Sequence, residues 1–144
     1  MKNMIYTLLT ILLLSSCSGP MGALPPLAKN SKFGTVVVVR SNSVVGSTNN
    51  FRLTLNKKNI FSIRAGEYTS FKTEPGELVL GVTCFGGWTP TPKREYTDIT
   101  VENKQTNYVL ISPNASCAGI EEINATQAKN LISKSSFVSM GQKI

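Results

Sequence analysis

Gly34-Thr35-Val36-Val37-Val38-Val39-Arg40 carries four consecutive valines. β-Branched side chains lose rotamer freedom in a helix and pack well on a pleated surface. A short run so uniformly apolar and β-branched predicts a strand covered on both faces, or at least central in its sheet.

Working downstream, Phe51-Arg52-Leu53-Thr54-Leu55 alternates, with Phe51, Leu53 and Leu55 on one face and Arg52 and Thr54 on the other. Asn56-Lys57-Lys58-Asn59 is read as a hairpin tip leading into a strand over 60–63. Ala65-Gly66 turns the chain again before a strand over 67–73. Glu74-Pro75-Gly76-Glu77 is a turn: proline presets φ at one corner and glycine accepts a positive φ at the next. Leu78, Leu80, Val82 and Cys84 then share one face of a strand over 78–84.

Residues 85–92 form an open Gly/Pro loop holding the single tryptophan, Trp88. Residues 95–102 and 106–112 are expected as a last pair of strands around Asn103-Lys104-Gln105. A helical pattern appears only afterwards. Asn124 and Gln127 make a capping-box-like start, and Ala125, Ala128, Leu131 and Ile132 keep helical spacing to about Lys134. The rest, 135–144, is read as a short extra strand or a frayed tail. The expected fold is mainly β: an antiparallel β-sandwich or open barrel of about seven strands with one C-terminal helix, over residues 33–144.

Upstream of the valines, 18–32 is punctuated by Gly and Pro without any period, and is expected to be a flexible linker. The N-terminus follows the secretory pattern: Lys2, an apolar block of ten residues from Ile5 to Leu14, then small residues. A bilayer-spanning helix needs about 20 apolar residues, so the block suits a signal peptide core better than a permanent span. It ends in Leu14-Ser15-Ser16-Cys17, which resembles the lipobox of bacterial lipoproteins.

That resemblance implies a thioether-linked diacylglycerol on Cys17, cleavage before it, and acylation of the new amino terminus. Two or more acyl chains, each contributing about 0.8 kcal/mol per buried CH₂, form a stable tether. The competing reading is an ordinary cleaved signal with a cysteine near the cut. By the sorting rule of Gram-negative lipoproteins, Ser18 in place of Asp implies export to the outer membrane, facing the periplasm. The chain divides accordingly into a signal peptide (1–16), the lipidated Cys17 with its linker (17–32), and a β-domain (33–144).

The net charge is +7, and about +6 once Lys2 is removed. The positive residues are scattered, with Lys57-Lys58 and Lys93-Arg94 the densest pairs, which argues against a nucleic-acid partner. An exported basic protein meets anionic lipid head groups or lipopolysaccharide instead, although the same charge also serves solubility. With Cys17 assigned to lipid, Cys84 and Cys117 remain as an even pair in an oxidising compartment. They are expected to form a disulfide; two buried free thiols are the alternative.

The sequence contains no histidine, so it lacks Ser-His-Asp, Cys-His and the usual zinc ligand sets. It has no Gly-Lys-Ser/Thr phosphate cradle. Glu121 and Glu122 are adjacent and would diverge in a strand, while Glu74 and Glu77 bracket a turn, so solvated surface acids are the reading for all four. No enzyme and no cofactor is expected. Phe85-Gly-Gly-Trp88 is the candidate contact loop, with Trp88 either presented to a partner or folded back over the core. Asn114-Ala115-Ser116 and Asn124-Ala125-Thr126 match the glycosylation pattern, and the resemblance to a bacterial lipobox implies that both matches are chance.

The valine-rich strand, the hairpin with a polar tip, Ala65-Gly66-Glu67-Tyr68, Glu74-Pro75-Gly76-Glu77-Leu78, Tyr108 in a late strand and the helical tail together resemble an uncharacterised family of small bacterial lipoproteins. The resemblance spans about 33–134 and implies a β-sandwich-like fold without any known activity. The function expected is a non-catalytic, membrane-anchored envelope protein with an envelope protein partner. The alternatives are a lipoprotein of a secretion apparatus and a small inhibitor or binder of a periplasmic enzyme or glycan.

Overall fold

In a computed structural model of the chain, describing residues 18–28, 32–43, 49–85 and 91–142, the valine run is the middle strand of a five-stranded sheet. Ten strands and one helix lie among the described residues: β1 Gly19–Pro20, β2 Gly34–Arg40, β3 Phe51–Leu55, β4 Lys58–Ile63, β5 Glu67–Thr73, β6 Gly76–Cys84, β7 Lys93–Val101, β8 Thr106–Pro113, β9 Ala118–Ile123, α1 Ala125–Ile132 and β10 Ser136–Phe137. One sheet has the order β1-β4-β3-β6-β7 and the other β10-β5-β2-β8-β9. They pack as a β-sandwich, and neither closes into a barrel. All seven strands expected from the sequence are present, as β2 to β8.

Period-two alternation places the core between the sheets. Val36 and Val38 of β2 face Leu53 of β3 and Leu80 and Val82 of β6, all fully buried. Each such side chain removed from water stabilises the fold by about 1.5–3 kcal/mol. The opposite face of β2 is covered too. The helix packs on β2 and β8, and Val39 and Ala128 are both fully buried. The helix starts where expected: Asn124 Oδ1 accepts from Gln127 N at 2.9 Å, and Gln127 Oε1 accepts from Asn124 N at 3.2 Å. It ends at Ile132, with Ser133 as its C-cap.

The β3–β4 turn is built from Asn56 and Lys57 at φ 48° and 66°, the two left-handed residues that a twisted two-residue hairpin requires. Asn56 also continues the ladder toward β6, its N–H donating to Val79 O at 2.8 Å and its Oδ1 accepting from Val79 N at 3.1 Å.

Three expectations are corrected. Residues 95–102 and 106–112 do not pair as neighbours: β7 is the edge of one sheet, paired to β6, and β8 belongs to the other. β7 buries Ile99 and Val101 on one face, and β8 buries Val109 and Ile111 with Tyr108 and Leu110 on its other face, patterns that are the same whether the chain folds back on itself or crosses the sandwich. The crossing is fixed by its corner, where Lys104 N donates to Phe33 O at 3.0 Å and Thr35 N to Gln105 O at 2.8 Å. The sheets are not purely antiparallel, because β2 pairs with β8, and β5 with β10, in parallel. Finally, 118–123 is a strand that alternation did not reveal, since it is an edge strand with Glu121 and Glu122 both exposed.

The tail is the short extra strand rather than a frayed end over its described part. Beyond β10, Met140 is buried against the core, and the Gln142 side chain both accepts from Lys72 N and donates to Lys72 O, each at 2.7 Å. Of residues 17–32, read as a linker, 18–28 and 32 are described. Gly19 and Pro20 pair with Ser62 and Phe61, Met21 N donates to Ile60 O at 3.0 Å, and Leu24 packs against the core. Residues 1–17, where the signal peptide and the lipidated Cys17 are expected, lie outside the described residues.

Candidate functional site

The chemistry-bearing residues gather at one pole of the sandwich, where β2, β4 and β6 end and β3, β5 and β7 begin. Three devices hold this pole together. The first is Cys84–Cys117, whose sulfurs lie at disulfide distance and join the end of β6 to the turn before β9, hence one sheet to the other. That turn is shaped by Asn114 Oδ1, which accepts from Ser116 N at 2.9 Å and Cys117 N at 2.8 Å. The second device is Arg40. It follows Val36 and Val38 on the inward face of β2 and is fully buried. Its guanidinium donates to Asn49 O at 2.6 Å and Ile63 O at 2.8 Å and lies 3.8 Å from the Phe51 ring centroid. Burial lowers its pKa to about 10, opposed by the negative charge of Glu67, so it stays charged at neutral pH.

The third device holds the N-terminal segment. Glu67 Oε1 accepts from Ser18 Oγ at 2.7 Å while Oε2 accepts from Arg64 N at 2.8 Å. One carboxylate thus closes the β4–β5 turn and receives the residue that follows Cys17.

On the outer face of the β3 sheet, cross-strand register aligns Gly19, Ser62, Arg52, Thr83 and Arg94 in one row across all five strands. The Arg52 guanidinium lies 4.0 Å over the ring of Phe85, which is 40% exposed. Arg94 and Tyr96 are exposed on the same face. Of the expected contact loop, Phe85 is therefore placed at this pole and Trp88 lies outside the described residues. Arg52 and Arg94 were not singled out from the sequence as neighbours. The alternation showed that Arg52 points away from the core, but only the pairing of β6 with both β3 and β7 brings it level with Arg94.

The acidic residues weighed as a catalytic pair do not converge. Glu74 and Glu77 are exposed, and Glu122 Oε1 accepts from Asn107 Nδ2 at 2.6 Å in a bridge that also reaches Thr100 O at 3.0 Å. Among the described residues, no three His, Cys, Asp or Glu side chains could hold a metal ion together, and no helix is long and apolar enough to cross a membrane. A groove of about 360 Å³ runs between the N-terminal segment and the tail, lined by Pro20, Leu24, Pro26, Met140 and Gln142 among others. No protein-family model, no curated protein and no solved structure matches this chain.

Proposed function

We propose that this chain is a bacterial envelope lipoprotein, anchored through acylated Cys17, that presents a non-catalytic β-sandwich to a protein partner in the periplasm. The observation that carries this reading is the Leu14-Ser15-Ser16-Cys17 ending of a ten-residue apolar block, followed at once by residues that dock on a folded domain. A cysteine at that junction, with Cys84 and Cys117 already accounted for by each other, is free to take lipid. Ser18 after it favours the outer membrane. The absence of histidine from the sequence, together with the dispersed acids, supports a binding role.

The test is labelling of the full precursor with a palmitate analogue in bacterial cells. The wild-type chain incorporates label and fractionates with membranes; Cys17→Ser abolishes both. Unlabelled wild-type protein, or full membrane retention of Cys17→Ser, overturns the anchor. Crosslinked recovery from membranes then identifies the partner: one multi-subunit machine marks a secretion component, and a single hydrolase marks an inhibitor. Turnover of cell-wall or lipid substrates by purified residues 18–144 overturns the non-catalytic reading.

A further inference from the structure

We propose that the lipidated protein stands on its membrane by the pole that holds Ser18, with Arg52, Phe85 and Arg94 against anionic head groups. This inference rests on the acylation of Cys17 proposed above.

The chain length carries it first. A flexible stretch from Cys17 to residue 32 would let the domain stand up to about 50 Å from its anchor. The docked segment removes that freedom. Ser18 is held by Glu67 at 2.7 Å, and Gly19 is paired with Ser62. Cys17 is therefore one peptide unit, about 3.8 Å between Cα atoms, from a residue fixed on the sandwich. A bilayer that takes the acyl chains must lie against this pole.

The surface chemistry of the pole fits such a neighbour. The row Gly19–Ser62–Arg52–Thr83–Arg94 starts at the anchored edge and crosses five strands, about 19 Å at the spacing of paired strands. Its two arginines face outward. Arg52 lies over the half-exposed Phe85 ring, and Arg94 is exposed on the same face. Guanidinium groups engage phosphate through several N–H donors, and aromatic rings settle at head-group depth with an apolar body and a wet edge. Basic residues are attracted to an anionic leaflet within a Debye length. The opposite pole, with Glu77 and the Asn56-Lys57 hairpin, then faces the periplasm.

The experiment uses the full lipidated protein in vesicles of phosphatidylethanolamine and phosphatidylglycerol carrying brominated acyl chains. In a Trp88→Phe background, which removes the only native tryptophan, a single reporter is introduced by Phe85→Trp or by Glu77→Trp. The two positions lie near opposite ends of β6, a nine-residue strand about 27 Å long. The expected result is quenching at position 85 and little at 77. Adding Arg52→Glu with Arg94→Glu reduces the quenching at 85 roughly twofold or more, and high salt acts in the same direction. Vesicle retention read in parallel separates the two proposals. Loss of the wild-type chain from vesicles overturns the anchor itself. Retention with equal quenching at 85 and 77, or stronger quenching at 77, overturns the orientation and leaves the anchor standing. Quenching at 85 that ignores both charge reversal and salt overturns the head-group contact.

Discussion

Arg40 Nη1 donates to the backbone carbonyl of Ile63 at 2.8 Å, joining a strand of one sheet to a strand of the other through a fully buried guanidinium. The same group reaches Asn49 O at 2.6 Å and rests on Phe51, so it ties β2, the approach to β3 and the end of β4 at one point. An arginine can do this because its planar fork offers several donors in fixed directions.

Arg40→Ala removes the donor and leaves the carbonyls of Asn49 and Ile63 facing a cavity. The expected loss is about 3–5 kcal/mol, combining unsatisfied buried acceptors with lost packing. Arg40→Lys keeps the charge without the fork and is expected to lose a large part of the same stability. Urea unfolding of the three proteins checks this. A loss below about 1 kcal/mol for Arg40→Ala would show that the guanidinium is not what joins the sheets at this pole.

The Cys84–Cys117 pair closes a loop with a sequence separation of 33. In the chain-entropy model such a cross-link contributes about 3–4 kcal/mol by restricting the unfolded chain. Double replacement by alanine is expected to lower the urea midpoint accordingly while the fold is kept. Thiol titration of the unreduced soluble domain, residues 18–144, should find no free thiol; a count of two contradicts the bridge.

Lys57 holds φ 66° in the β3–β4 turn, a conformation that costs a side-chain-bearing residue and not glycine. Lys57→Gly creates the Asn-Gly pair that this turn favours, and is expected to raise stability by about 0.5–1 kcal/mol. The reading is a higher thermal midpoint. An unchanged or lowered one would mean that the greater freedom of glycine in the unfolded chain outweighs the relief of strain.

Gly81 on the outer face of β6 lies under Tyr96 and beside Thr54, and a Cβ there would collide with Thr54 Oγ1 and the tyrosine ring. Gly81→Ala is expected to cost about 1–3 kcal/mol as an overpacked site. Combining it with Tyr96→Ala should recover part of that loss, which a double-mutant cycle measures directly.

Much of the fold could be read locally. The valines of β2, the alternation of β3, the Pro75-Gly76 corner that opens β6 and the Asn124/Gln127 capping box each carry their own geometry within a few residues. What escaped is what depends on distant partners. Alternation in β7 and β8 did not say which neighbours they take; the ladder of β7 to β6 and of β8 to β2 places them in different sheets, with the Phe33–Lys104 and Thr35–Gln105 bonds at the corner between them. β9 escaped because an edge strand has little core to face, so its two exposed glutamates break the alternation that marks a buried strand.

The same division holds for the candidate site. Phe85 and the two cysteines were visible as residue types, and Arg52 as a side chain turned from the core. Their assembly was not. Residue order determines periodicity, turns, caps and the N-terminal lipobox-like signal, because these depend on side chains a few positions apart. Register and sheet order are decided only when non-local strands compete for partners and burial. That competition aligned Arg52 with Arg94, buried Arg40 against Ile63, and laid Ser18 on Glu67 where the sequence alone suggested a loose linker.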